Sequence, residues 1–502
     1  MKSYFMGIDT GTQGVRIGIC DNDGSIVTIH QKQWETTYPE FGWAEQNPLD
    51  WWGAISDTLE ECFKELTEDQ KLHLISCCVC STSSTVFAID EEGNPLMNAM
   101  MWMDARSKDE MKKINETKHP VLDFCGQETS FEWMIPKALW IKNNRREIYD
   151  SCYKLVEQLD WINFKLCGNL SSSICNTTCK WNYVSSMGGY QKDFFEEIGF
   201  EDFEDKIVTH VDKIGDVLGK IQIDIAEKYG INKDMLVVQG GIDAHMAMFG
   251  LDVLQPNKLG IIMGTSFVHL CLSKEKPDIA GVWGPYDSAV VDGMWLLEGG
   301  QISASGLVNW FSKNFHMKGV GGNLYDELSE SADKVPIGAD GITVLDFFQG
   351  NRTPYKDISA KGVIFGLNLK HTWEHIYRAI IESIAFGTNN IIRNYEDQGY
   401  HIDTITACGG VTKDKVWMQI ISDVTGKKII VNREAQAGVL GCCVVAASGS
   451  RYYNDFDTAA SNMVKPKLII EPDYGNYEKY KYPFDKYLKL YESLKDMMHE
   501  QN

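Results

Sequence analysis

Apolar and polar positions near the N-terminus fall into a pattern of strand, turn and strand. Phe5, Met6 and Ile8 lead into Asp9-Thr10-Gly11-Thr12-Gln13-Gly14, after which Val15, Ile17 and Ile19 alternate with other residues. Gly11 and Gly14 permit backbone geometries closed to other residues, and Thr12 adds a hydroxyl. Such a turn can aim amide N–H groups at an anion, with Asp9 holding a hydrated cation beside it. An ordinary glycine-rich hairpin is the competing reading. Against it stands a second copy, LGIIMGTSFVHLCLS at 259–273, which matches at Gly7/Gly260, Ile8/Ile261, Gly11/Gly264, Thr12/Thr265 and Val15/Val268. The repeat predicts two related domains, each offering a Gly-Thr turn. Ile262 stands where the first copy has Asp9, so the metal carboxylate belongs to the first turn alone.

The rest of the pattern alternates helix and strand. Residues 47–66 predict an amphipathic helix with Asn47 as N-cap, Pro48 in the first turn, and Leu49, Trp52, Ile55, Leu59 and Phe63 on one face. LISCCVCSTSSTVFAID (74–90) reads as a strand, a Ser/Thr turn and a strand, and 99–106 carries Trp102, Asp104 and Arg106 out of an apolar run. A helix is expected over 130–145, followed by an ill-defined stretch to about 230. A buried strand, MLVVQGG (235–241), delivers Ile242-Asp243-Ala244 at its end. Gln255-Pro256-Asn257 is the best linker, dividing the chain into 1–254 and 255–502. A long helix is expected over 372–395, a strand, Gly-Gly turn and helix over 403–426, and a tight small-residue helix over 436–449. The fold class is α/β throughout.

Composition narrows the partners. The chain has 502 residues, enough for two domains, with 44% hydrophobic and 24% charged residues. A net charge of −22 argues against nucleic acid or an anionic membrane as a broad-surface partner, while local amides and a magnesium ion can still meet a nucleotide. No apolar run is long enough to span a bilayer, and Met1-Lys2-Ser3 leads into a strand without a signal peptide. Fourteen cysteines then fit a reducing, cytoplasmic setting. Cys77-Cys78-Val79-Cys80 and Cys442-Cys443 read as buried small residues, not as metal or redox centres.

Phosphoryl transfer to a hydroxyl needs a grip on the phosphates, a cation among them and a base for the hydroxyl proton. The two Gly-Thr turns offer the grip and Asp9 the cation ligand. Asp243, at the C-terminal end of a strand, is the best base candidate, because open α/β sheets bind ligands there. Its alternative is an N-cap for the next helix, and His245 is a competing base. Gly409-Gly410, opening a helix, is a candidate nucleotide platform. The Ser/Thr turn with Trp102, Asp104 and Arg106 suits a polyol, against plain core for Trp102 and a surface ion pair for Asp104 and Arg106.

Together these segments resemble the FGGY carbohydrate kinases, which share the two-domain actin/hexokinase-like (ribonuclease H-like) ATPase fold with a cleft between domains. The family's C-terminal signature is matched by Gly362-x-Ile364-x-Gly366-Leu367, seven residues, then His375-Ile376-x-x-Ala379-Ile380-Ile381-Glu382. The resemblance implies Asp243 as catalytic base and Asp9 as magnesium ligand. It places the nucleotide on Gly11, Thr12, Gln13, Arg16, Gly264, Thr265, Ser305, Asn309, Gly409, Gly410 and Asp414. It places the sugar on Thr82, Ser83, Ser84, Trp102, Asp104 and Asp243. Two departures stand out: Met134 replaces the Pro, Ser or Thr expected before the signature Lys137, and Thr82-Ser83 replace an Arg-Glu pair of glycerol kinases. The implied activity is ATP- and Mg²⁺-dependent phosphorylation of a terminal hydroxyl of a ketopentose, xylulose first, with ribulose or another polyol as alternative. A small-molecule sugar is the expected partner, and the oligomeric state is open, a homodimer among the options. The rival class is a non-catalytic, nucleotide-switched actin-like or sugar-sensing protein.

Overall fold

Both Gly-Thr turns close antiparallel hairpins in the computed structural model, which describes residues 2–315 and 324–500. The first sheet contains β1 (Tyr4–Gly11), β2 (Gly14–Asp21), β3 (Ile26–Gln33), β4 (Leu74–Ser81), β5 (Val217–Lys220) and β6 (Leu236–Val238), in the order β5-β6-β4-β1-β2-β3. The second contains β7 (Lys258–Met263), β8 (Phe267–Ser273), β9 (Trp283–Asp287), β10 (Trp295–Gln301), β11 (Thr404–Gly409), β12 (Lys428–Asn432) and β13 (Pro466–Ile470). Its order is β9-β10-β8-β7-β11-β12-β13.

Placed side by side, the sheets follow one plan. In each, a hairpin (β1-β2, β7-β8) extends antiparallel on one side, to β3 or to β10. On the other side, two parallel strands follow (β4 and β6, β11 and β12), and an antiparallel strand closes the edge. The duplication read from one repeated turn therefore extends across both sheets.

Around the sheets pack the helices α1 (Pro48–Glu65), α2 (Met134–Asn144), α3 (Ile174–Lys180), α4 (Asp243–Leu251), α5 (Trp373–Asp397), α6 (Lys415–Thr425) and α7 (Ala437–Gly449), of which α4 touches strands of both. Asn47 caps α1 as expected, accepting from Leu49 N at 3.1 Å. Its apolar face differs in one position: Leu49 is exposed, and Trp51 takes the buried place instead. The cysteines of β4 and α7 are buried and free. A small four-stranded sheet (45–46, 86–89, 99–100 and 154–157) receives the chain after the Ser/Thr turn, so the two strands read over 74–90 belong to different sheets.

The small-residue composition of α7 has a geometric cause. This helix comes from the second half of the chain yet packs on β1, β4 and α4 of the first. A Cβ on Gly441 would lie 1.9 Å from Met246 O, and one on Gly250 would lie 2.1 Å from Ala437 O. The backbones of α4 and α7 are thus in direct contact, which only glycine allows. Among the described residues, no helix is long and apolar enough to cross a membrane.

Gly441→Ala forces a methyl group against a helix backbone that cannot yield. The expected outcome is destabilisation by about 1–3 kcal/mol, as for overpacked cores, measured by urea unfolding, with loss of activity because α4 carries Asp243.

Candidate active site

The hairpin turns face each other across a cleft of about 750 Å³. Asp9, Thr12 and Arg16 enter from the first turn, Gly264 and Thr265 from the second, and Gly409 from the end of β11 beside it. Met263 and Gly409 are paired neighbours, so the second turn and the Gly-Gly turn form one continuous platform. Gly409 has φ +105° and no room for a side chain, since a Cβ would meet Met263 O at 2.3 Å.

Asp243 is the first residue of α4, and Ile242 is its N-cap, so the carboxylate does not cap the helix. One oxygen accepts from Ala244 N at 2.7 Å, and the side chain lines the cleft. Burial, reinforced by the negative charge of Asp9, pushes its carboxyl up to about 7. Burial also raises Asp9, opposed by Arg16, whose Nη1 lies 3.6 Å from Asp9 Oδ2. Two buried acids of raised proton affinity, one of them raised in part by the other's charge, make a place where a dication would lower the cost of both charges. Gly438 leaves room there: a Cβ on it would sit 2.8 Å from Asp9 Oδ2. The donor set and the space fit a hydrated magnesium ion.

His245, the competing base, turns away from the cleft. Its Nδ1 lies 3.2 Å from Cys175 Sγ and its Nε2 lies 3.4 Å from Glu298 Oε2. Burial opposes charge on the ring, yet Cys175 and Glu298 carry it up to about 9. Burial likewise opposes Cys175, but Cys179 and the imidazolium draw its thiol down to about 5.

On the acceptor side, Thr82, Ser83, Ser84 and Trp102 line the cleft. Ser84 holds φ +59°, a left-handed conformation costly for serine, and its buried Oγ has no hydrogen-bond partner in the protein. Trp102 is not plain core: its Nε1 donates to Thr12 Oγ1 at 3.1 Å, tying the acceptor loop to the first turn.

Lys137 organises this wall from behind. Its buried Nζ donates to Ser84 O at 2.7 Å, Met101 O at 2.5 Å and Trp102 O at 3.2 Å, and burial pulls its ammonium down to about 7.

Asp104 requires a correction. It is fully buried and off the cleft wall, with its carboxylate accepting from Ala44 N at 2.7 Å and from Arg106 Nε at 2.8 Å. Arg106 also pairs with Glu45 and lies 3.6 Å over the Trp43 ring. The ion-pair reading holds, but the pair is a buried brace for the Trp102 loop, not a surface contact.

The nucleotide residues divide. Gly11 and Gln13 form the first turn without lining the cleft. Ser305 lies at the start of the helix Ala304–Asn314, beside the second turn, to which the next residue is tied by Gly306 N donating to Thr265 O at 3.0 Å; its buried Oγ lacks a partner in the protein. Gly410 is exposed at the platform's rim and Asn309 is exposed on its helix. Asp414 caps α6, accepting from Trp417 N at 3.0 Å and Ser329 Oγ at 2.7 Å, and lies off the cleft.

Sequence reasoning missed Lys180, Glu298 and Arg352, all on the cleft wall. Lys180 and His245 draw the Glu298 carboxyl down to about 2 against its burial. Glu298 directly precedes the Gly299-Gly300-Gln301 run, a usable signal, whereas Lys180 lies in the stretch with no clear periodicity.

Paired ribonuclease H-like sheets enclosing a cleft with two Gly-Thr turns define the actin/hexokinase-like class of ATPase fold. Residues 4–250 match the N-terminal domain, and residues 259–450 the C-terminal domain, of the FGGY family of carbohydrate kinases. The chain belongs to that family. A human FGGY carbohydrate kinase domain-containing protein is 30% identical over 99% of this chain and 98% of its own. A ribulokinase from Bacillus licheniformis is 27% identical over 89% and 87%. Among solved structures, a xylulose kinase from Lactobacillus acidophilus superposes with a TM-score of 0.86 at 19% identity, over 98% of both chains. Plasmodium falciparum glycerol kinase with ADP superposes at 0.85 with 21% identity, over 97% of this chain and 98% of that one. These structural likenesses speak to the fold.

Lys137→Met keeps the buried stem and removes the donor to three carbonyls. Stability is expected to fall by about 1–3 kcal/mol, the penalty for stranded buried polar groups. The KM for the sugar should rise more than the KM for the nucleotide, as initial-rate kinetics with each varied in turn will show.

Proposed function

We propose that this protein is an ATP-dependent kinase that phosphorylates a terminal hydroxyl of a ketopentose, with xylulose the first acceptor to test. The observation that carries this reading is the Asp243 carboxylate, pushed up to about 7 and standing in the cleft between the phosphate turns and the Ser/Thr loop. Ribulose is the second reading, favoured by the ribulokinases among the sequence relatives. The division of labour follows the two halves: acceptor loop, base and first turn in 1–254, second turn and Gly-Gly platform in 255–502.

Backbone amides of the Gly11-Thr12 and Gly264-Thr265 turns would meet the phosphates, with Arg16 at the rim and Ser305 beside the second turn. Magnesium, when bound at Asp9, supplies charge neutralisation between the phosphate oxygens. Asp243 takes the proton of the attacking hydroxyl, and an affinity for protons near neutrality suits it to that task. Trp102 and Ser84 orient the sugar, which closes the cleft against water and favours transfer over hydrolysis.

A coupled assay for ADP release over a panel of ketopentoses, ketohexoses, gluconate and glycerol tests the assignment. Release stimulated by a ketopentose supports it, whereas slow hydrolysis indifferent to every sugar favours the nucleotide-switched class. In the same assay Asp243→Asn is expected to lower kcat by roughly 10²–10⁴-fold, the range for losing a general base, with ATP affinity retained. Near-normal turnover in that variant overturns the base.

Asp9→Asn keeps the shape and removes the charge that would hold magnesium. The Mg²⁺ concentration for half-maximal rate is expected to rise at least tenfold, read from a magnesium titration at saturating ATP, and chelation of the wild type abolishes turnover.

A further inference from the structure

Behind the cleft wall, three ligand-type side chains converge without serving the proposed transfer. Helix α3 presents Cys175 and Cys179 one turn apart, on the same face. Both sulfurs point at one ring nitrogen: Cys175 Sγ lies 3.2 Å, and Cys179 Sγ 4.0 Å, from His245 Nδ1. The opposite ring nitrogen is held by Glu298 at 3.4 Å. All three residues are buried, and their ligand atoms lie within 4.8 Å of one another. Among the described residues this is the one grouping of that kind.

Those separations suit a common centre. Metal–sulfur bonds of about 2.3 Å and metal–nitrogen bonds of about 2.0 Å, meeting at a tetrahedral angle, put sulfur and nitrogen about 3.5 Å apart. The observed 3.2 and 4.0 Å straddle that value, so shifts of about half an ångström would bring each sulfur to coordination distance with the ring nitrogen.

We propose that Cys175, Cys179 and His245 Nδ1 form a binding site for a thiophilic divalent cation of the zinc class, separate from the magnesium that accompanies the nucleotide. Two sulfurs and an imidazole are poor donors for magnesium, which takes oxygen ligands, and good ones for zinc, cobalt or cadmium. Glu298 completes the arrangement from outside. By accepting from Nε2–H it sets the tautomer that leaves the Nδ1 lone pair free, as carboxylates behind metal-bound histidines do. Binding displaces two protons, the one shared by Cys175 Sγ and His245 Nδ1 and the one on Cys179 Sγ. A dication for two protons leaves the net charge of the buried cluster unchanged, so no new charge is forced into the interior.

The position gives the site a consequence. His245 follows Asp243 by two residues on α4, and Lys180, beside Cys179, stands on the cleft wall. An ion here ties α3 to α4 and fixes the backbone from which Asp243 and Lys180 project.

Cobalt(II) titration of the full chain, stripped of metal and kept reduced with a phosphine, tests the site by its own absorption. The wild type should show a thiolate-to-cobalt charge-transfer band and tetrahedral d–d bands that saturate at one ion per chain. Excess magnesium should leave them unchanged and zinc should bleach them. Cys175→Ser and Cys179→Ser should each lose the charge-transfer intensity while keeping the wild-type unfolding midpoint in metal-free buffer. If Cys175→Ser fails to fold, Cys179→Ala, which removes only the more distant sulfur, should bind cobalt at least tenfold more weakly. Absence of the band in the wild type overturns the site. So does a band that survives both substitutions, or an unchanged affinity in Cys179→Ala.

Discussion

The cleft exists because two helices from opposite halves of the chain touch backbone to backbone. Gly441 of α7 lies against Met246 O of α4, and Gly250 of α4 lies against Ala437 O of α7. With any larger residue the helices would stand further apart, and the N-terminal ends of both would withdraw from the cleft. Those ends matter because α4 begins at Asp243, and α7 begins at Ala437 and Gly438, beside the Asp9 carboxylate. One close-packed crossing thus sets the spacing between the candidate base, the candidate magnesium ligand and the floor on which a nucleotide would lie. It also explains a helix of glycine, alanine, cysteine and valine in place of an amphipathic one.

The electrostatics of the cleft run against the charge of the whole chain. A net charge of −22 would repel a nucleotide, and the lining adds Asp9, Glu132, Asp243 and Glu298 to Arg16, Lys180 and Arg352. Side-chain cations therefore do not outweigh the acids. On the proposed reading, the attraction for phosphate would fall to backbone amides in the turns and to the cation that Asp9 would hold. The same enclosure has a second consequence: burial first, and the charge of Asp9 second, raise Asp243 to a proton affinity near neutrality, which a surface aspartate would lack.

Much of this was legible in the residues, because the Gly-Thr turn recurs in both halves of the chain and leaves a mark in the sequence. The repeated Gly-Thr turn gave the duplication, and Asp243 stood out as a carboxylate at a strand end. The signature over 362–382 identified the family without touching the cleft: Glu382 is buried in an ion pair with Arg378 at 2.7 Å and accepts from Gly338 N. What stayed hidden depends on contacts between distant segments. The Asp104–Arg106 pair was open to a local reading, but nothing local shows that Ala44 N also donates to the carboxylate and that the pair is buried. Lys180 and the Cys175–His245 contact lie in or reach into a stretch of short helices, where neither the strand nor the helix period is sustained.

The acceptor and nucleotide sides of the cleft are joined before any ligand arrives. Trp102 donates to Thr12, and Lys137 gathers the carbonyls of Ser84, Met101 and Trp102 onto one nitrogen. On the proposed reading, a sugar seated on Trp102 would press on the first turn through a single hydrogen bond, with the buried Asp104–Arg106 brace behind the loop. The same link would work in reverse, since phosphates held at the first turn would steady Thr12 and through it the indole. Because the link is already made in the free protein, each ligand would meet a wall that the other's side has helped to position.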